Sequence, residues 1–213
     1  MKILIESQYA GSILYFAVLR KAEAVWLDQH EHFRKGSYRN RCVILGANGA
    51  LRLSIPLQSG KDQNKPFEMV KISYAEPWQK IHWESLGAAY RSSPFFEYYE
   101  PQLKAFYTKQ FSSLSDFNQQ LFDQLNLFLK KTIPVQFTKS YEASETFEGL
   151  DLRNCIHPKN PISLGNELVD FPSYIQVFND RFEFVPNLSI FDLLFNLGPK
   201  AGDYLDNLLI TSV

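Results

Sequence analysis

Residues 29–41, Gln-His-Glu-His-Phe-Arg-Lys-Gly-Ser-Tyr-Arg-Asn-Arg, concentrate the side chains best able to move protons and hold anions. Arg34, Lys35, Arg39 and Arg41 put four positive charges within eight residues. An Arg fork holds a phosphate or carboxylate through charge-assisted hydrogen bonds worth about 1.5–3 kcal/mol each. In an extended chain Arg39 and Arg41 point to one face, and Tyr38 and Asn40 to the other. A phosphate- or carboxylate-bearing small molecule suits that Arg pair, with Asn40 orienting one of its hydroxyl or carbonyl groups. The plain alternative is a solvated strand edge whose cations discourage aggregation.

His30 and His32 also share a face if the segment is extended. His32, nearer the basic run, is the candidate general base, because imidazole titrates near neutrality. A His-x-His pair can also take a transition metal when Glu31 or His82 supplies a third ligand. The spacing does not favour that reading, and the expectation is neither metal nor cofactor. Ordinary surface or structural histidines remain the alternative for both.

Three more groups carry a functional and a structural reading. His82 lies among Trp78, Ile81 and Leu86, so it is either a core histidine or a second catalytic group closing the pocket of His32, with Tyr90 two turns along. Cys155-Ile-His157 suggests a thiol nucleophile and base, although such pairs normally come from separate elements. Ser189-x-x-Asp192 resembles a capping box, while Asn187 and Asp192 could instead reach a ligand at that helix start. The candidates are thus His32 and His82 for catalysis, with His30, Lys35, Tyr38, Arg39, Asn40, Arg41, Tyr90, Asn187 and Asp192 for substrate binding.

The elements that must position these residues begin with a strand over 2–6, a helix over 12–22 and a strand over 25–27. That order predicts a βαβ unit with parallel strands. Residues 41–45 and 51–56 flank Asn48-Gly49, whose tolerance of positive φ predicts a tight hairpin. A polar loop follows over 58–67 and a short strand over 69–73. Helices are predicted over 77–91, 93–109 and 114–128, the last ending near Lys130 and Lys131. Residues 139–175 lack periodicity and read as an irregular or ligand-covering loop. A strand over 182–185, a helix over 189–197 stopped by Gly198-Pro199, and a last helix to about 209 complete the chain. The expected fold is a single mixed-sheet α/β domain over 1–213, with an N-terminal βαβ unit, a hairpin added to the sheet and several packed helices.

The 213 residues suffice for a sizeable core. A net charge of −1 gives no general attraction to nucleic acid or an anionic membrane. No apolar run reaches membrane-spanning length. The 18 Phe and 11 Tyr supply either a large aromatic core or a ring-lined pocket. Cys42 and Cys155 fit a reducing cytoplasm, a disulfide between them being the open alternative.

Four ordered blocks carry a likeness: Gln29-His-Glu-His-Phe with Tyr38-Arg-Asn-Arg; Ile81-His-Trp with Ala89-Tyr; Pro94-Phe-Phe-Glu-Tyr-Tyr; and Phe184-Val-Pro-Asn-Leu-Ser-Ile-Phe-Asp-Leu-Leu-Phe-Asn-Leu-Gly-Pro. Together they resemble the WbqC-like family. Glu6, Ser7 and Gly11 depart from its opening motif, as His30 and His32 do from residues often found at their positions. The resemblance implies a role in O-antigen or related surface-polysaccharide biosynthesis, with transfer of a glycyl or other acyl group onto an amino sugar. The expected partners are a nucleotide sugar or other anionic small molecule and an acyl or aminoacyl donor or carrier protein. A non-catalytic module binding a nucleotide sugar or carrier protein is the alternative, and a thiol hydrolase using Cys155 a further one.

Overall fold

The computed structural model describes residues 1–58, 65–131 and 133–210. The chain opens with β1 (Lys2–Glu6), α1 (Ile13–Lys21) and β2 (Ala24–Asp28), then forms the hairpin β3 (Arg41–Gly46) and β4 (Gly49–Ser54). Helices α2 (Trp78–Tyr90), α3 (Phe96–Lys104) and α4 (Leu114–Phe128) follow, with the short strands β5 (Val135–Phe137), β6 (Leu150–Asp151), β7 (Ser163–Leu164) and β8 (Glu167–Leu168) after them. The last helices are α5 (Ile190–Leu197) and α6 (Ala201–Asn207).

The βαβ unit forms as its pattern predicts. Ile3, Leu4 and Ile5 of β1 are wholly buried, as a strand of a covered parallel sheet requires. Ser12 caps α1 by accepting a hydrogen bond from the Tyr15 amide. Residues from Ile13 to Arg20 are buried on every face of that helix, so it runs inside the molecule. Arg20 reaches α6, where Nε and Nη2 bind the two carboxylate oxygens of Asp206 at 3.0 and 2.6 Å.

The sheet has the order β5-β2-β1-β6 and all its pairings are parallel. The β1–β2 register runs from Lys2 opposite Ala24 to Glu6 opposite Asp28, which sets two carboxylates side by side at the carboxyl edge. The outer strands escaped the sequence reading. β5 has three residues and β6 two, too few to show a period of two.

The hairpin forms, but as a separate two-stranded sheet instead of extending the parallel one. Gly46 pairs with Gly49, and positive φ (103°) falls on Gly49 alone of the four turn residues. The strand expected over 69–73 is replaced by a 3-10 turn at Phe67–Met69 and one isolated bridge between Leu57 and Ile72. Most of the loop expected over 58–67 lies outside the described residues. No strand forms over 182–185. The helix expected to continue to 109 ends at Lys104 and tightens into a 3-10 turn at Ala105–Tyr107.

Most aromatic rings serve the core. Tyr9, Phe16, Phe96, Phe117, Phe191 and Phe195 are fully buried, and Phe191 stacks on Phe195 at 5.7 Å. Cys42 and Cys155 are both free thiols. No helix among the described residues is long and apolar enough to cross a membrane.

Candidate functional site

In an open parallel sheet the helices cover the faces, so ligands enter at the carboxyl ends of the strands, where the strand order changes direction. Here β2 lies on one side of β1 and β6 on the other. Glu6, Asp28 and Asp151 end three adjacent strands, and Thr138 follows the fourth. Such an edge concentrates negative charge, and the chain answers it with Arg39 and Arg153.

Asp28 organises the segment that follows it. Its Oδ1 accepts hydrogen bonds from the amides of His30 (2.9 Å) and Glu31 (3.1 Å) and from Thr138 Oγ1 (3.1 Å). Its Oδ2 takes Arg153 Nη1 at 2.5 Å. A short acidic side chain bonded to amides two and three residues ahead turns the backbone sharply. The turn therefore sends residues 30–34 across the end of the sheet. Opposite, Arg153 Nη2 holds Asp151 at 2.6 Å. Burial raises the Asp151 carboxyl, but the bonds from Arg153 and Ser144 outweigh it and hold the group below its usual range.

Between these two walls lies an open polar cleft of about 630 Å³. His30, Glu31, His32 and Arg34 form one side, and Tyr141, Ser144, Asp151, Arg153 and Asn154 the other. Its volume suits a small ligand. His30 Nδ1 lies 3.3 Å from Glu68 Oε1, a carboxylate placed to orient the ring. His32 is exposed at the rim. Arg34 is exposed and makes no ion pair among the described residues, so its charge is available to a ligand.

The basic motif itself is arranged differently from the extended expectation. Tyr38–Asn40 is a 3-10 turn, so Arg39 and Arg41 do not form a pair on one strand face. Arg39 is fully buried: Nε and Nη2 hold the carboxylate of Glu31 at 2.7 and 2.5 Å, and Nη2 also donates to Asn154 Oδ1 at 3.1 Å. Burial would lower its pKa, yet Glu6 and Glu31 raise it. Burial likewise pushes the Glu31 carboxyl up while Arg39 pulls it back. Arg41 is half-buried at the start of β3, its pKa lowered by burial and by Arg52. Asn40 donates to the Ile55 carbonyl at 2.9 Å, Tyr38 is buried and Lys35 is exposed.

The remaining candidates lie outside the cleft. His82 packs in the core against Tyr9 and Trp78, with Nδ1 3.0 Å from the Tyr9 hydroxyl. Burial drops its pKa to about 4, so the ring is neutral at physiological pH. Tyr90 is fully buried and donates to Asp192 Oδ1 at 2.9 Å. Asp192 also receives Tyr174 and Gln176, at 2.5 and 2.9 Å, so it anchors a buried network and does not close a capping box. Asn187 is a connector: its Oδ1 accepts from the Leu14 amide at 2.7 Å and its Nδ2 donates to the Pro161 carbonyl.

No group of three or more His, Cys, Asp or Glu among the described residues is arranged to hold a metal. Glu31, one proposed third ligand, is committed to Arg39, and His82, the other, lies in the core. The residues missed from the sequence are Tyr141, Ser144, Asp151, Arg153 and Asn154 of the cleft wall and the buried Asp28 behind it. The legible signal was a carboxylate closing each of two apolar strand runs.

The matching family model, described as the WbqC-like protein family, covers residues 7–157. The chain belongs to the WbqC-like protein family. The span of this family model takes in both walls of the cleft, from His30 to Asn154. Over 223 residues the chain is 24% identical to a protein of Mycobacterium tuberculosis described as uncharacterized, covering 95% of this chain and 96% of that protein. No solved structure matches it.

Proposed function

We propose that this WbqC-like chain is a cytoplasmic transferase working as one domain over 1–213. It would move an aminoacyl or acyl group onto the amine of a nucleotide-linked amino sugar in surface-polysaccharide biosynthesis. The observation that carries the reading is the polar cleft at the carboxyl edge of the parallel sheet, where His30, His32 and Arg34 face Arg153 and Asn154. Arg34 and Lys35 hold the anionic diphosphate at the mouth, in place of the buried Arg39. The sugar amine attacks the acyl carbon, a C–N bond forms, and the donor's bond from acyl carbon to oxygen or sulfur breaks. An imidazole takes the amine proton and returns it to the leaving group. His32 was the expected base; His30 is the better oriented, since Glu68 stands behind it as a carboxylate stands behind a catalytic imidazole. His32 then contacts the substrate at the rim.

Folded protein incubated with nucleoside-diphosphate amino sugars and aminoacyl or acyl thioesters should yield a sugar heavier by the acyl mass. Absence of any such product across both donor classes removes the transferase reading. A non-catalytic module binding a nucleotide sugar or carrier protein is the second reading. It is favoured by the commitment of Glu31 and Arg153 to ion pairs within the protein. His30→Ala separates the two readings: it abolishes turnover and spares binding in the first, and there is no turnover to lose in the second.

A further inference from the structure

The parallel sheet ends on β5, which is hydrogen-bonded to β2 on one side only. The Val25 amide donates to the Pro134 carbonyl at 2.9 Å and the Thr138 amide to the Leu27 carbonyl at 3.2 Å, so residues 134 and 138 turn toward β2. Successive residues of a strand bond to opposite sides. The backbone groups of Val135 and Phe137 therefore face outward, and no strand meets them among the described residues. None of the three residues of β5 carries a charge that would repel another strand. Beside this edge lies an open groove of about 440 Å³ between α4 and β5. Phe122, Leu127, Ile133, Val135 and Phe137 give it an apolar lining. Leu127 is 72% exposed and Phe137 39%. A free strand edge flanked by an apolar groove and a helix is where an added strand docks: main-chain bonds hold it, and alternate side chains fill the groove.

The charges along the groove say which strand fits. Asp123 on α4, the exposed Leu127 one turn on and Lys130 just past the helix end all line it. Asp123 accepts from Gln119 at 2.9 Å, and neither it nor Lys130 forms an ion pair among the described residues. The wall thus reads acid, apolar, base. A twofold axis beside Leu127 reverses that order, so that Asp123 of each copy faces Lys130 of the other. Such a self-complementary patch is what a symmetric pair of identical chains requires. Asn126 Oδ1 lines the same groove, is buried and has no hydrogen-bond partner. It lies three residues after Asp123 on the helix, so an ammonium arriving at Asp123 also serves this acceptor.

We propose that β5 and α4 form a docking surface for a second copy of this chain, the two β5 strands pairing antiparallel about a twofold axis at Gln136. Val135 then exchanges both backbone bonds with Phe137 of the other copy, and symmetry repeats the pair. The two parallel sheets become one continuous sheet, with the polar clefts at its opposite edges. Sedimentation of the full chain over a range of micromolar concentrations tests this, and twice the mass of one chain is expected. Asp123→Lys and Lys130→Asp should each weaken association about tenfold or more, because each sets like charges across the axis. The double variant Asp123→Lys, Lys130→Asp restores opposite charges and should associate as wild type does. Phe137→Pro, which removes an outward amide that β2 does not use, should also give monomer. Thermal unfolding establishes that each variant is folded. A wild-type chain that stays monomeric overturns the proposal and leaves the groove to a strand of another protein. A dimer that the folded single variants retain, or a folded double variant that fails to associate, overturns it as well.

Discussion

Arg39 and Glu31 form a two-point ion pair, 2.7 and 2.5 Å long, with both side chains almost wholly withdrawn from solvent. The pair ties the motif loop to the end of the sheet, because Arg39 also reaches Asn154 and its backbone carbonyl accepts Asn118 Nδ2 at 2.9 Å. Breaking one partner of a buried pair leaves the other charge stranded, at a cost of about 3–5 kcal/mol. Arg39→Met is therefore expected to lower the unfolding free energy by about that amount in urea titrations. The double variant Arg39→Met, Glu31→Met should recover most of the loss; a single variant as stable as wild type would show that the pair is not an anchor.

Folding stability should fall in acid through His82. Its folded pKa of about 4 lies below the ordinary 6.5 because of burial. The unfolded chain then binds the proton more tightly, so stability is fully present above pH 6.5 and drains away as pH falls toward 4. The total is about 3 kcal/mol. Urea titrations at pH 7 and pH 4.5 should show this slope, and His82→Gln should flatten it. An equal slope in the variant would assign the acid sensitivity elsewhere.

Tyr90 bridges the Leu45 amide, at 3.2 Å, and the Asp192 carboxylate. Tyr90→Phe removes a hydrogen bond to a buried charge and is expected to cost about 1.5–3 kcal/mol, read as a lower denaturation midpoint. A change within error would mean that water or a neighbour replaces the hydroxyl.

Arg34 is the cleft's available guanidinium. Arg34→Ala should weaken binding of a nucleoside-diphosphate sugar about tenfold, equivalent to about 1.4 kcal/mol, and reduce its dependence on salt. Unaltered affinity would place the diphosphate outside this cleft.

Cys155 is a test of the thiol reading. Burial raises its pKa, and Glu6 and Asp151 raise it further, all disfavouring the reactive thiolate. Cys155→Ser is expected to leave any acyl-transfer rate unchanged, and a loss beyond tenfold would revive a thiol nucleophile.

The cluster was legible as chemistry because nothing in a core needs so many cations and imidazoles together. Its side chains were misplaced because the reading assumed an extended chain, whereas Ser37 accepts from the Arg39 amide and starts a 3-10 turn. That single turn sends Arg39 inward. His82 was kept as a catalytic candidate although its apolar neighbours favoured the core, and the structure places it in that core. Asp192 was not legible as a network centre, since Tyr90 and Tyr174 are remote from it along the chain.

The amino-acid order alone determined the βαβ opening, the hairpin, the main helices and the family likeness. The elements rest on local periodicity, turn residues and caps, which neighbours in sequence supply, and the likeness rests on four ordered blocks of residues. Only the tertiary structure decided that Tyr141, Ser144, Asp151, Arg153 and Asn154 complete the cleft and that Asp28 and Arg39 brace it from behind. The physical reason is that parallel strands bring together carboxyl ends more than a hundred residues apart, and charge pairing there depends on distance in space.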